Sequence, residues 1–304
     1  MFRLIQPNDV AAQIRRIACE QNSKAIAELD DERVSQARKV HQVRKRCKKL
    51  RGLIRLVRPA LGKMYQTEND WFRDTAQPLS GLRDAKTMRD TYDSVTDTFK
   101  DQVKRESFKT IRRRLTIRCK KLVEANNGDE LLNLTRERFA EAQRRVQSWQ
   151  FGETGFVAVK GGFRKSYSQA VTALEQAISH PTAEQFHEFR KRVKSHQFHC
   201  LLLRDLSRKP MRERIDEAER LCELLGDDHD LIVLSDSIDA SPDEFGSKKN
   251  VGAFRSLLVQ RSRQLRKQIK KLGFRLFSKS PSAIVDQLSL GVDAGKARKK
   301  SRLL

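Results

Sequence analysis

The chain has 304 residues, of which 38% are hydrophobic and 34% are charged. It can therefore bury a sizeable core, yet it carries more surface charge than an ordinary enzyme. Its 63 Lys and Arg residues outnumber 39 Asp and Glu residues, and the resulting net charge of +24 favours polyanionic partners over cationic ones.

Several classes of protein are disfavoured at this point. Five cysteines lie far apart without a Cys-x-x-Cys pair, which argues against a disulfide framework and against a cysteine-based zinc site. The N-terminal sequence lacks the apolar core of a secretory signal, and no stretch approaches the roughly 18 apolar residues that a membrane span needs. We expect a cytoplasmic protein with no membrane partner.

Apolar residues recur at helical spacing almost throughout, whereas runs that alternate in the manner of a β-strand are missing. Thr182 is followed three residues later by Gln185, which is the capping-box signature of a helix start. The pattern predicts an all-α fold with helices at 9–29, 31–58, 62–75, 84–100, 102–125, 129–149, 159–179, 183–206, 210–225, 228–238 and 249–277.

Two sequence matches recur at one separation of 146 residues. HQVRKRCK begins at His41 and HEFRKRVK begins at His187, and the segments that end at Asp84 and Asp230 also align. Two matches at one separation indicate a duplication. A period this long is typical of paired bundles and not of a solenoid, whose repeats are much shorter. We predict two pseudo-symmetric antiparallel helical bundles with a basic surface or pore. Their ranges are 1–150 and 159–279, followed by a flexible basic tail at 280–304.

Charge is segregated along the chain. Residues 33–63 contain 12 basic residues and no acid, and residues 248–279 contain 11 basic residues and no acid. The segment 216–244 is the reverse, with 11 acids and a single arginine. This separation predicts one strongly positive face beside an acidic flank.

The helix predicted at 31–58 has two neighbouring stripes. Val40, Val43, Cys47, Leu50, Ile54 and Val57 form an apolar stripe that must face the core. The cations follow the same spacing one position later and form a row at the rim of the bundle, where a solvated face would normally mix both signs of charge. We therefore predict an anion-binding row at His41, Arg44, Lys45, Lys48, Arg51 and Arg55, with Arg58 at its end.

The second copy repeats part of this row and then weakens at Gln197. Cations of further helices flank apolar positions, although the phase of each helix is left open by the sequence. The additional candidates for anion binding are His187, Arg190, Lys191 and Lys194 in the second row and Arg114, Arg118, Arg164, Arg263 and Lys267 elsewhere.

The histidines and carboxylates have ordinary structural interpretations. His196 and His199 lack a carboxylate or cysteine at metal-ligand spacing, so we expect core residues and no metal site. His41 and His187 could donate a ring N–H to phosphate or cap the core, and the sequence leaves both roles open. Asp84 and Asp230 are expected near helix starts, as caps or as partners of arginine. Gly161-Gly162 lacks the GxxxxGK spacing of a phosphate-binding loop.

These residues resemble the CHAD family, the conserved histidine α-helical domain. The resemblance rests on VHQVRKRCKKLRGLIRLVR at 40–58, FHEFRKRVKSHQFHCLLLRDL at 186–206, LGDDHD at 225–230, GFRKSY at 162–167 and LGFRLF at 272–277. It covers nearly the whole chain and implies a single domain over 1–304, without a CYTH domain, because no E-x-E-x-K strand is present.

The resemblance implies two helical bundles that bind inorganic polyphosphate and target polyphosphate granules, without catalysis and without a cofactor. Polyphosphate-metabolising enzymes are possible protein partners. Sequence-independent nucleic-acid binding is the alternative, because phosphate contacts alone give affinity. It is disfavoured because aromatic residues are 7% and none lies among the cations of 40–58. A phosphatase or kinase is disfavoured because no metal-carboxylate cluster or supported phosphorylatable histidine is evident.

Overall fold

The computed structural model of the chain describes residues 1–124 and 128–300, except for the side chains of residues 80–86, 122–127, 208–210 and 293–300. Within that part of the chain the secondary structure is helical, and no β-strand occurs. The α-helices are α1 (Val10–Asp30), α2 (Gln36–Leu56), α3 (Arg58–Leu61), α4 (Met64–Ala76), α5 (Ser80–Thr98), α6 (Lys109–Glu124), α7 (Gly128–Val146), α8 (Val157–Ser179), α9 (Ala183–Leu203), α10 (Arg208–Asp239), α11 (Lys248–Leu276) and α12 (Pro281–Lys300).

Several helix starts follow from local capping. The Asp9 side chain accepts the Ala12 N–H at 3.3 Å at the start of α1. The Thr182 hydroxyl accepts the Gln185 N–H at 3.2 Å at the start of α9, which confirms the cap expected there. Two short 3-10 helices, Arg105–Phe108 and Pro242–Phe245, precede α6 and α11.

The central helices are α2, α9 and α10. Helix α2 packs against α1, α4, α5, α8 and α9, and α9 lies between α8 and α10. All six apolar residues predicted to form the stripe of α2 are buried, so the predicted phase of this helix is confirmed. Burial of that face fixes the direction in which the neighbouring cations project.

Two glycines allow α2 to approach α8 and α9 closely. A Cβ at Gly162 of α8 would lie 1.8 Å from the Leu56 carbonyl oxygen, and a Cβ at Gly52 of α2 would lie 2.9 Å from the Phe198 side chain. Real Cβ atoms do not tolerate such distances, so both positions need glycine for the helices to touch.

Some predicted boundaries are wrong. The helices expected at 210–225 and 228–238 form one helix, α10, because Gly226 is accommodated inside it without a break. Asp230 therefore lies within a helix and does not cap one. The Asp84 side chain, expected to cap the helix of the first half, lies outside the described side chains.

The segment 280–304, expected as a flexible tail, contains α12. Its apolar residues Ile284, Val285, Leu288 and Val292 are buried, and the helix packs against α8 and α10. The basic composition of 280–304 concealed this apolar stripe.

No helix in the described part of the chain has the length and apolarity to cross a membrane.

Candidate functional site

The first half of α2 carries four of the predicted cationic positions. His41 and Lys45 are exposed, and Arg44 and Lys48 are half-buried. Arg44 donates from a terminal guanidinium nitrogen to the Ala76 carbonyl at 2.9 Å, so the end of α4 holds this side chain beside the core.

Arg51 and Arg55 lie further along α2 and are held by neutral oxygens. The Arg51 Nε donates to Asn69 Oδ1 at 3.2 Å, and an Arg55 guanidinium nitrogen donates to Ser195 Oγ at 2.9 Å. Burial lowers the pKa of Arg51 to about 10, with a further contribution from the positive charge of Arg55. Burial also lowers the pKa of Arg55, and the charge of Arg192 adds to this effect. These pKa shifts mean that positive charge is partly withdrawn from water here, although Tyr65 and Glu188 oppose the lowering of the Arg55 pKa.

Lys49 is a further half-buried cation of α2, which the spacing argument did not select. Burial lowers its pKa to about 8, and the charges of Arg46 and Lys45 lower the pKa further. The ammonium group lies 5.3 Å from the centre of the Phe2 ring. Lys49 could have been predicted from the density of cations in this part of the sequence but not from their helical period.

The second predicted row, on α9, has acidic neighbours. Lys191 pairs with Glu188 at 2.5 Å, and Lys194 donates to Gln197 Oε1 at 2.8 Å. Arg190 is half-buried. Burial raises the pKa of the half-buried Cys222 thiol to about 11; the charges of Lys194 and Arg190 lower it, and those of Glu219 and Glu223 on α10 raise it. The positive potential of this row is therefore reduced by carboxylates from α9 and α10.

His187 lies against α10. Its ring and that of His229 have centroids 4.7 Å apart. Burial lowers the pKa of His187, and the nearby charges of Lys191 and Arg190 add to the effect. A neutral ring at this position can donate one N–H to an anion.

The α2 and α9 helices meet toward their C-terminal ends. The contacts are Arg55 to Ser195, Gly52 to Phe198, and a 3.0 Å hydrogen bond from the His199 Nε2–H to the Gly52 carbonyl. Arg55 lies at this crossing.

Arg114 and Arg118 of α6 both form ion pairs with one carboxylate. Both contact Glu244 at 3.0 Å, and the Arg118 guanidinium also lies 4.7 Å from the centre of the Phe245 ring. A carboxylate brought in from a distant part of the sequence thus neutralises part of their charge.

Arg263 and Lys267 of α11 are exposed, whereas Arg266 points inward. Arg266 contacts the buried Asp228 carboxylate at 3.1 Å and donates to the Pro181 carbonyl at 2.8 Å. Arg164 of α8 is also exposed and lies in a cleft beside the start of α12. The described side chains of Arg164, Arg263 and Lys267 are not brought into contact with the α2 row.

His196 and His199 lie in the core, as expected. The His196 ring packs against Phe163, Tyr167 and Phe277 at centroid distances of 5.3 to 5.7 Å. Burial lowers the pKa of His199 to about 3 and lowers the pKa of His196 strongly. Their positions explain both histidines by packing.

In the described residues no group of three or more His, Cys, Asp or Glu side chains is arranged to hold a metal ion. A family model described as CHAD domain matches residues 17–239. No curated protein matches the chain.

Proposed function

The chain belongs to the CHAD domain family, and from this premise we propose that it binds inorganic polyphosphate through the cationic helix faces of α2 and α9 without catalysing a reaction. Polyphosphate carries regularly spaced charges and no bases, so rows of Arg and Lys suffice to bind it.

The observation that carries the proposal is the state of Arg51 and Arg55. Burying a charge costs free energy unless a counter-charge compensates for it. The guanidinium groups of Arg51 and Arg55 donate to the neutral Asn69 and Ser195, and Tyr65 and Glu188 offset only part of the burial at Arg55. A polyanion lying along α2 would supply the missing negative charge. Arg also offers paired N–H donors that match phosphate oxygens.

Nucleic acid is the competing ligand. Single-strand binders need open aromatic faces on which bases stack. Beside these rows, the rings of Phe2, Tyr65 and Phe198 each already face a cation, from Lys49, Arg58 and Lys194 respectively. This arrangement favours a ligand that presents phosphate alone.

We propose, further, that the domain consists of two pseudo-symmetric bundles. Shifted by the 146 residues of the sequence repeat, α1, α2 and α6 fall on α8, α9 and α11, while α4 and α5 both fall on α10. The same shift relates Gly52 to Phe198, two residues that lie against each other where α2 crosses α9. Equivalent residues meet in this way at a two-fold axis, and such an axis would bring both rows to one basic surface.

This function would place the protein in the cytoplasm on polyphosphate granules, together with polyphosphate-metabolising enzymes. Binding would then localise or organise the polymer.

Competition binding tests the proposal. Immobilised protein is challenged with long-chain polyphosphate, DNA and RNA at matched phosphate concentration and fixed salt. We expect long polyphosphate to bind most tightly, with affinity falling steeply as salt rises, because counterions are displaced on binding. Equal or tighter binding of DNA would replace the proposal with the nucleic-acid function.

Two triple variants locate the site. The first changes Arg44, Lys48 and Arg51 to Gln, and the second changes Arg190, Lys191 and Lys194 to Gln. We expect each to lose about tenfold or more in affinity and to flatten the salt dependence, and the α2 variant to lose more because α9 has acidic neighbours. A control that changes the exposed Lys100, Lys104 and Lys109 removes the same charge from another surface. Equal losses in all three would mean that net charge alone binds the polymer.

A further inference from the structure

A cleft outside the two cationic rows lies between α8 and the start of α12. Its volume is about 420 Å³, within the range of about 300–1,000 Å³ that is usual for small-ligand sites. The described lining is Gly161, Arg164, Lys165, Ser168, Gln169, Pro281 and Ser282.

The lining is cationic and polar. It contains two cations, two hydroxyls and one amide, and no carboxylate is among the described lining residues. Arg164 and Lys165 are exposed, and neither forms an ion pair or a hydrogen bond with another described side chain. By contrast, Arg114 and Arg118 are engaged by Glu244. The cleft therefore holds two neighbouring charges whose donors remain available to a ligand.

A second, smaller cleft continues from the first at Ser168 and Gln169. Arg192 of α9 lines it, donates to Gln169 Oε1 at 2.9 Å and forms an ion pair with Glu188 at 2.6 Å. The carboxylate of Glu188 therefore offsets the positive charge of Arg192, whereas the first cleft keeps its two exposed cations.

The local sequence explains how the cleft forms. Gly162 lets α8 lie directly on α2, and Gly161 presents no side chain at the cleft wall. Arg164, Lys165 and Ser168 then occupy successive exposed positions on the first turns of α8. A Cβ at Gly161 would lie 3.3 Å from the Pro59 side chain, so the glycine pair serves helix packing while the cations that follow it line the cleft.

We propose that this cleft binds a short run of phosphates, such as the end of a polyphosphate chain, as a second anion site separate from the α2 and α9 rows. Arg164 supplies a planar pair of donors, Lys165 a point charge, and Ser168 and Ser282 hydroxyl donors to phosphate oxygens. The inference rests on the proposed function for its ligand class, but it makes a separate claim about chain length. A site of this volume holds a few phosphates, whereas the helix rows extend along the polymer.

The test uses inorganic tripolyphosphate as the short probe, and its binding is measured by isothermal titration calorimetry at fixed salt. We expect the double variant Arg164→Gln/Lys165→Gln to lose about tenfold or more in tripolyphosphate affinity, because two charged donors are removed. The matched control is Lys109→Gln/Arg113→Gln, which removes two exposed cations of α6 that do not line the cleft. It should keep its affinity for tripolyphosphate, and circular dichroism should find both variants folded.

The outcomes separate this inference from the proposed function. Equal losses in the cleft and control variants, or wild-type protein that binds long polyphosphate but not tripolyphosphate, would overturn the cleft site and leave the proposed function standing. Loss confined to the cleft variant supports the site even if long polyphosphate fails to bind. ATP serves as a further probe with the same triphosphate group, and ATP binding tighter than tripolyphosphate would reassign the cleft to nucleotides.

Discussion

The histidines of α9 show how one residue type takes different roles along a single helix. His187, at the second turn, is half-buried beside His229 and the cations of α9, whereas His196 and His199 are fully buried. The Nε2–H of His199 donates to the Gly52 carbonyl where α2 crosses α9. A neutral imidazole satisfies this buried carbonyl, and a charged one would lack solvation.

This burial predicts a pH dependence of stability. The pKa of His199 falls from 6.5 to about 3 on folding, so between these values the unfolded chain binds a proton that the folded chain does not. The stabilisation is complete above pH 6.5 and is lost as pH falls toward 3. From pH 7 to pH 5 the free energy of unfolding should decrease by about 2 kcal/mol because of His199.

Chemical denaturation at both pH values measures this decrease. The variant His199→Gln should show a smaller difference between pH 7 and pH 5, whatever its absolute stability, because it removes the titrating group. His180→Gln, at an exposed position, should leave the difference unchanged. If His199→Gln kept the full wild-type difference, the protonation of His199 would not be its source.

At the scale of single elements, α12 is the helix that composition concealed. The segment around it reads as basic, yet Leu288 is fully buried while Leu290, two residues later, is 72% exposed. The helical period places them on different faces. The sequence repeat would have predicted this helix, since α7 shifted by 146 residues overlaps α12.

The two leucines provide a matched test of this helix. Leu288→Ala should lower the free energy of unfolding by about 2–4 kcal/mol, because it removes buried methyl groups and leaves a cavity. Leu290→Ala should change it by less than about 0.5 kcal/mol. Urea denaturation of both variants measures the difference, and equal effects would mean that α12 does not pack on the domain as described.

At the scale of the whole molecule, the two parts of the chain are joined where α2 contacts α8 and α9. Gly162 lies at a close approach of α8 to α2, because a Cβ there would lie 1.8 Å from the Leu56 carbonyl oxygen. Backbone cannot yield as a flexible side chain can. Under the proposed function, this junction would hold the α2 row and the α8 cleft at a fixed separation.

We therefore expect Gly162→Ala to lower the free energy of unfolding by about 1–3 kcal/mol or more, because α8 must shift away from α2. Gly226→Ala is the control. Gly226 also lies inside a helix, but a Cβ there would meet nothing within 4 Å. This control should raise the free energy of unfolding by about 0.5–1 kcal/mol, since alanine favours helix more than glycine does. Thermal or chemical unfolding distinguishes the opposite signs, and a stabilising Gly162→Ala would contradict the close contact.

The features that could be read from the chain are those set by neighbours a few residues apart. The all-helical class, the Thr182 cap and the buried stripe of α2 follow from spacings of three and four, because one helical turn brings such residues together. The cationic row beside the stripe follows from the same geometry. The continuity of α10 through Gly226 did not follow, because glycine weakens a helix locally while tertiary packing can still hold it.

The electrostatic environment of each cation depends on partners that are distant in sequence, and spacing carries no information about them. Arg114 meets Glu244, and the inward cation of α11 is Arg266, which meets Asp228, so the phase left open by the sequence is resolved by packing. In the sequence Arg51 and Arg55 are indistinguishable from the neighbouring cations, yet in the fold they donate hydrogen bonds to Asn69 and Ser195. Charge interactions act through space and strengthen with burial, so the folded arrangement decides which cations are neutralised and which remain able to bind an anion.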